Sequence, residues 1–450
     1  MIITQVGRRA VPRTMPARIR ALALAAALAV AALFVAVSVG LGGARDGLQV
    51  IGHDAGPQVV ATSDLYFALS DMDAQLAHVL LSGREHGLGA GRDAALKLYD
   101  QRRGEADRAV LQTFDIAGRD PVGQRTIQSV LDRLGAYERL ASQALLLDQQ
   151  SAHQAGPPPQ AVIDLFRQAT DLMHYGLLPQ AYNLTLESAT IVRRSYESRQ
   201  SGLVTARVWV ALTGLAVIAL LVVLQYFLAR RFRRTLNPAL VLATVVAFGL
   251  VIASLVLLTS TARHLREAKE HGFDSTLALA RGRAISNSAA ADETRSLLDP
   301  ARADTYTQNY LDKSQSIAYV PAGNLRTYYE ALGKAVTDKK IPLGFLAGQT
   351  GPVLGAYQAV QQDDRRLRSL TTAGRTREAI MLRTGPMVGN FRTYDDELGK
   401  LIKTQRANFD EEITAGDHGL HGWRQALPPT AAGVLLLILV GIRPRLSEYR

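Results

Sequence analysis

Residues 208–229 read VWVALTGLAVIALLVVLQYFLA, residues 230–236 read RRFRRTL, and residues 237–262 read NPALVLATVVAFGLVIASLVLLTSTA. Two charge-free runs flank a cluster of arginines, and this pattern decides the fold. A hydrocarbon core about 30 Å thick is crossed by roughly 20 apolar residues at 1.5 Å each. Each run therefore predicts a spanning helix, and the arginines predict a short loop kept in the cytoplasm. Working outward, residues 21–43 and 426–442 are also free of charge. The latter is at the short limit and has Pro428 and Pro429 near its start. The former follows an arginine-rich stretch, as a secretory signal would. A signal's apolar region is usually about 7–15 residues long, so a run of 23 favours an uncleaved anchor.

Arginine also sets the orientation. The N-terminal tail holds Arg8, Arg9, Arg13, Arg18 and Arg20 and no acid, and the C-terminal tail holds Arg443, Arg445 and Arg450 against Glu448. With short basic segments inside, the expected map has cytoplasmic pieces at 1–20, 230–237 and 443–450. Spans follow at 21–43, 208–229, 238–262 and 426–442, and extracytoplasmic domains at 44–207 and 263–425. The protein is expected in the plasma membrane, multi-pass, with both termini cytoplasmic. Its net charge of +11 equals that of the three inner segments, in which 12 arginines face one glutamate. A basic chain often signals nucleic acid. Here the excess belongs to topology, so no nucleic-acid partner is expected. The arginines suit membrane lipids, at about 1 kcal/mol for each basic residue near anionic headgroups. There is no cysteine, which excludes disulfides and zinc–thiolate sites.

Both outer segments read as helix. Leu65, Leu69, Met72, Leu76 and Val79 recur at alternating spacings of four and three, as do Val130, Leu134, Tyr137, Ala141 and Ala144. Val162, Phe166, Ala169 and Met173 continue the pattern, and Met387, Phe391, Tyr394, Leu398 and Leu401 repeat it in the second segment. Such spacing keeps one apolar seam against a neighbouring helix. Breaks fall at Gly83–Gly91, Asp120-Pro121, Gly156–Pro159 and Pro179, then at Asp299-Pro300, Val320-Pro321, Ile341–Pro352 and Pro386. The fold class is thus an all-α membrane protein with four transmembrane helices and two tandem extracytoplasmic helical domains resembling four-helix bundles. Leu-Gly-Ala-Tyr occurs at 134–137 and again at 354–357, each following a Leu-Leu pair (80–81 and 297–298), which suggests an internal repeat. One seam, Val353, Tyr357, Val360, Asp364, Leu367, carries an acid. Either Asp364 is buried and paired, or the register shifts toward Leu370, and the shift is the favoured reading.

Chemistry is sparse. Gly87-Leu88-Gly89-Ala90-Gly91 lacks a preceding strand and a phosphate-binding lysine, and reads as a linker. His418 and His421 lie in a glycine-broken stretch, where a metal site would need further ligands. Asp363-Asp364 and Asp395-Asp396 read as solvated faces or salt-bridge partners. No catalytic, cofactor or metal site is expected, and no enzyme. The spans contain no Asp, Glu, Lys, Arg or His, which disfavours a transporter. Gln225 is their most polar side chain and suits a helix–helix contact.

Residues 180–229 and 238–298 lack internal proline, apart from Pro238 at the start of the latter, so the middle two spans read as continuous with the outer helices. Glycines over Gly40–Pro57, and glycines with Pro428-Pro429 over Gly416–Pro429, instead suggest broken outer junctions. The turn Arg230-Arg231-Phe232-Arg233-Arg234 is then the candidate docking site for a cytoplasmic partner. Four spans, two tandem outer helical domains and so little cytoplasmic chain resemble the actinobacterial GlnX-type membrane protein, which links a glutamine-binding lipoprotein to serine/threonine protein kinase G. That resemblance implies a non-enzymatic signalling protein responding to amino-acid availability through an extracytoplasmic solute-binding lipoprotein and reporting to a cytoplasmic Ser/Thr kinase. The alternative is an envelope scaffold or accessory subunit of a transport or cell-wall complex.

Overall fold

The structure, a computed structural model, describes residues 15–84, 91–117, 121–232, 237–340, 343–349 and 351–447. Among them every named element is helical, and the extended contact is an isolated antiparallel bridge between Tyr319 and Leu343. The α-helices are α1 (Met15–Leu48), α2 (Gly56–Ser82), α3 (Gly91–Ala117), α4 (Pro121–Ser151), α5 (Gln160–Leu172), α6 (Leu178–Phe232) and α7 (Pro238–Glu267). They continue as α8 (Asp274–Leu298), α9 (Ala303–Ile317), α10 (Leu325–Thr337), α11 (Pro352–Thr372), α12 (Thr376–Thr384), α13 (Pro386–Leu420) and α14 (Trp423–Ser447). π-helical segments occupy Gln49–Ala55, Met173–Leu177 and Ala268–Phe273. Packing divides the chain into a membrane unit (Met1–Gly52, Arg193–Lys269, Asp410–Arg450) and a large unit (His53–Val192, Glu270–Phe409).

The membrane unit holds four helices long and apolar enough to cross a bilayer, and in each no more than 33% of the most apolar window is buried. Leu24, Leu28, Leu212, Val245, Phe248 and Leu439 are among the side chains left exposed. Apolar surface on this scale is stable only against lipid. The chain is a multi-pass membrane protein. Trp209 and Tyr226, both exposed on α6, are separated by about 25 Å of helix at 1.5 Å per residue, the spacing of aromatic belts at two interfaces. Small residues let the helices approach: a Cβ on Gly214 would lie 2.6 Å from Val251, and one on Gly441 would lie 2.9 Å from Leu240. Gln225 bridges α6 to α7, donating to the Leu240 carbonyl at 2.9 Å and to Thr244 Oγ1 at 2.7 Å. That is the helix–helix contact its sequence position suggested.

The expected break at Gly40–Pro57 is absent, because residues 17–82 are helical without interruption. The glycines there serve as contact points instead. Cβ atoms would lie 3.4 Å from Arg199 at Gly47 and 2.5 Å from Ile413 at Gly52. At the other end a break does occur: α13 and α14 are separated by a turn at His421-Gly422, where Gly422 has φ +82°.

The large unit is built around α2 and α8, which lie side by side. Between Ala68 and Ser82 every residue but Gln75 is buried, and between Ser286 and Leu298 every residue but Ser296. Helices covered on all sides need partners on all sides. α3 and α4 pack on α2, α9 packs on α8, and α12 touches both. Leu69, Met72, Phe166 and Tyr137 therefore share a core with Leu297, Leu298, Ile380 and Met387. The two sequence segments read as tandem domains meet in this one core. A second cluster joins Tyr328, Leu332, Tyr357, Tyr394 and Leu398, with the Tyr357 and Tyr394 rings 5.3 Å apart.

The seams read from sequence are buried at Leu65, Leu69, Met72, Leu76 and Val79, and at Val130, Leu134, Tyr137, Ala141 and Ala144. The favoured shift at Asp364 does not occur. Asp364 is fully buried in register with Leu367, accepts from Tyr329 Oη, and pairs with Arg368 Nε at 3.1 Å. Two charge-assisted partners offset the cost of burying a carboxylate, so the helix keeps its phase.

Candidate functional site

A cavity of about 340 Å³ opens in the large unit, walled by α2, α3, α8, α12 and α13. Helical periodicity places its polar lining. Asp71, Gln75 and His78 lie at i, i+4 and i+7 on α2, and Arg283, Asn287 and Ala290 have the same spacing on α8. Such spacing puts each trio on one face. Arg102 and Leu98 come from α3, Arg383 from α12, and Val388, Phe391, Arg392, Asp395 and Asp396 from α13.

Two of the four arginines are already matched. Arg102 donates from Nε to Asp71 at 2.5 Å and from Nη1 to Glu105 at 2.6 Å. Arg283 grips Asp395 through two bonds of 2.6 Å each. Both guanidinium groups stack on Phe67, with carbon-to-centroid distances of 4.9 and 4.3 Å. Burial opposes the charge on Arg102, but Asp71 and Glu105 outweigh it and hold the guanidinium protonated. Gln75 in turn donates to Asp71 at 2.9 Å.

The floor differs. Arg383, on α12, is buried, donates from Nη2 to the Ala290 carbonyl at 2.6 Å, and holds Nε 3.3 Å from Glu293 Oε2. Beside it His78 is buried, and its Nε2 meets no hydrogen-bond partner among the described residues. Burial, with the Arg383 charge adding to it, pushes His78 down to about 4, so the ring is neutral at physiological pH. Glu293 moves the other way. Burial raises it to about 8, Arg383 opposes this, and the adjacent Asp364 carboxylate reinforces it.

A separate buried network lies between α2 and α8. Arg295 donates at 2.5 Å both to Asp73 on α2 and to Asp292 on α8 itself. Asp73 also accepts from Tyr137 at 3.2 Å and from Thr170 at 3.1 Å, while Lys313 pairs with Asp292 at 2.5 Å. His174 nearby is pushed well below its ordinary range, by burial first and then by Arg295.

Of the docking residues proposed from sequence, Arg230 is exposed on α6 and donates to Tyr226 Oη at 3.1 Å. Arg231 and Phe232 close that helix, and Arg233 and Arg234 lie outside the described residues. His418 is in the last turn of α13 and His421 in the turn after it. Among the described residues no three potential metal ligands gather. Sequence reading placed no site in the large unit. The signal was the run Ser286-Asn287-Ser288-Ala289-Ala290-Ala291, small side chains on a helix with no apolar seam, which calls for close neighbours on several sides.

Residues 47–197 match the actinobacterial sensor domain. The match contains α2 and α3, which supply Asp71, Gln75, His78 and Arg102. The rest of the cavity wall, on α8, α12 and α13, lies beyond it. No curated protein and no solved structure matches the chain. About a third of this multi-pass membrane chain is thus similar to a sensor domain.

Proposed function

We propose that this protein is a non-enzymatic transmembrane sensor whose large unit faces the outside and takes a small polar ligand directly into the cavity between α2, α3, α8, α12 and α13. The observation that carries the reading is the convergence of eight ionisable side chains from five helices on one cavity of about 340 Å³, fed partly by the sensor domain and partly by the second segment. A scaffold has no need of such a cavity; helices that only packed together would fill it with apolar groups. Ligand pockets lie at this size or above, with a few polar groups that fix orientation. The resemblance to the GlnX-type protein supports amino-acid availability as the stimulus, with a solute-binding lipoprotein outside and a Ser/Thr kinase inside. The arginine distribution supports cytoplasmic termini, and the turn 230–234 is the contact offered to the kinase. π segments at Gln49–Ala55 and Ala268–Phe273, each preceding one of the two central helices, join the repeated Leu-Gly-Ala-Tyr in favouring an origin by duplication.

The test is a crosslinked pull-down of the full chain from membranes, with the native protein compared with Arg283→Gln. Recovery of a soluble kinase whose yield changes with the extracellular stimulus, and no longer does so in Arg283→Gln, supports the sensor. Recovery of transport or cell-wall subunits alone, at the same yield in both proteins, overturns it in favour of a scaffold.

A further inference from the structure

Arg102 and Arg283 each make two short hydrogen bonds to carboxylates, whereas Arg383 has one carboxylate neighbour, at 3.3 Å. Its carboxylate neighbour is Glu293, which is buried on α8 and faces groups from every helix around it. These are Arg383 on α12, Asp364 and Arg368 on α11, Tyr329 on α10 and Tyr310 on α9, while His78 on α2 faces Arg383. Asp364 already holds the Tyr329 hydroxyl and Arg368. Glu293 Oε1 meets no hydrogen-bond partner among the described residues, and neither does Nε2 of His78, which lines the same cavity as Arg383. A buried guanidinium with a weakly ionised partner is short of negative charge. Next to it stands a neutral imidazole with a nitrogen free to donate. A guanidinium and an N–H side by side match the two oxygens of a carboxylate. Around them Ala74, Ala94, Ala95 and Leu98 offer an apolar wall for a short carbon chain.

We propose that the cavity is a carboxylate-binding site in which Arg383 leaves Glu293 for the ligand and any ionised Glu293 is protonated from solvent in exchange. The charges balance: one carboxylate enters and Arg383 stays cationic, while Glu293 passes from anion to acid where it was ionised and stays an acid where it was not. Arg383 is the ion-pair partner that keeps Glu293 partly ionised, so its departure favours the acid form. The acid then meets Asp364 without the repulsion of two buried anions. Ligand binding at one end of this chain of contacts is thereby linked to the protonation state of the contact between α8 and α11. This inference rests on the cavity being the ligand site.

Butyrate is the probe, titrated calorimetrically into the full chain in detergent, in paired buffers of different protonation enthalpy. Because burial raises Glu293 to about 8, butyrate should bind with proton uptake that is measurable at pH 8 and falls away toward pH 6. Glu293→Gln, which mimics the acid form, should bind at least as tightly with no uptake, and Arg383→Gln should weaken binding tenfold or more. Binding with no uptake at pH 8, or uptake that persists in Glu293→Gln, overturns the exchange and leaves the cavity as the site. Binding unaffected by both Arg383→Gln and Arg283→Gln overturns the cavity reading as well. No binding of butyrate overturns the carboxylate assignment, while the stimulus-dependent pull-down still decides the sensor reading.

Discussion

The buried pair between Asp73 and Arg295 makes a strong quantitative demand. Both side chains are 1% exposed. Arg295→Met would keep most of the volume but leave Asp73 with the Tyr137 and Thr170 hydroxyls and, 3.8 Å away, the His174 ring, which burial holds neutral. Asp292 keeps Lys313, so the loss centres on one carboxylate. Removing one member of a buried ion pair costs about 3–5 kcal/mol, against a typical total stability of roughly 5–15 kcal/mol. For a unit of this size the melting transition should fall by on the order of 10 °C. The assay must report on the large unit. Both tryptophans, Trp209 and Trp423, lie in the membrane unit, so circular dichroism and hydrogen exchange are the suitable readouts. Because α2 and α8 share one core, amides of 56–82 and 274–298 should lose protection together. Adding Asp73→Asn should recover a large part of the loss by removing the stranded charge. If Arg295→Met costs less than about 1 kcal/mol, well under the range for a broken buried pair, the pair does not hold the helices as described. If exchange accelerates in 274–298 while 56–82 stays protected, the two segments fold independently.

Other outcomes follow from the same geometry. Single cysteines in this cysteine-free chain should resist an impermeant thiol reagent in intact cells at positions 5, 235 and 447 and should label at 90 and 345; labelling at 235 would reverse the orientation. His78 is neutral when folded, with its proton affinity pushed down to about 4, so the folded state binds fewer protons than the unfolded one as pH falls from about 6.5 toward 4. Its stability contribution is present above that window and declines within it, by about 2 kcal/mol at pH 5. His174 acts in the same sense; His78→Gln should therefore flatten the acid limb of the unfolding curve only in part, and an unchanged limb would refute the role given to His78. Gly214→Leu places a side chain where even a Cβ lies 2.6 Å from Val251. It should separate α6 from α7 and lower the yield of folded protein in membranes, and a normal yield would show that the helices do not pack there.

Much of the fold was legible because it rests on apolar periodicity and on proline and glycine. Leu65 to Val79 and Val130 to Ala144 are buried as their spacing requires, and α3, α4, α11 and α13 begin at Gly91, Pro121, Pro352 and Pro386. Gly40 to Pro57 misled because glycine lowers intrinsic helix stability, yet here Gly47 and Gly52 admit close neighbours that a larger residue would exclude. Asp364 misled for a related reason. An acid in core register looks like a phase error until Tyr329 and Arg368, 35 residues before it and four after, are seen to satisfy it. The cavity was the least legible part. Asp71, Arg102, Arg283, Arg383 and Asp395 are dispersed over more than 300 positions, and each alone reads as a solvated charge. Only the packing of α2 against α8 brings them together.

That packing explains why charge is kept where apolar groups would stabilise more. A well-packed apolar replacement of a buried ion pair is often neutral or favourable by about 1–4 kcal/mol, so stability alone does not account for Asp73, Asp292 and Arg295. Their value is in geometry. On α2 the Asp71–Gln75–His78 stripe faces the cavity, while Asp73, two residues from Asp71, faces Arg295. Successive residues of a helix differ by about 100° in direction, so Asp73 and the cavity stripe lie on opposed faces. Sliding or rotating α2 against α8 would break the charged bond from Arg295 to Asp73, which is far more directional than contacts between apolar side chains. The Asp73–Arg295 pair thus sets the register of the two central helices, and with it the placing of the cavity stripe on α2. A ligand in that cavity then acts on a frame with few alternative arrangements, the condition under which small displacements of packed helices become discrete states.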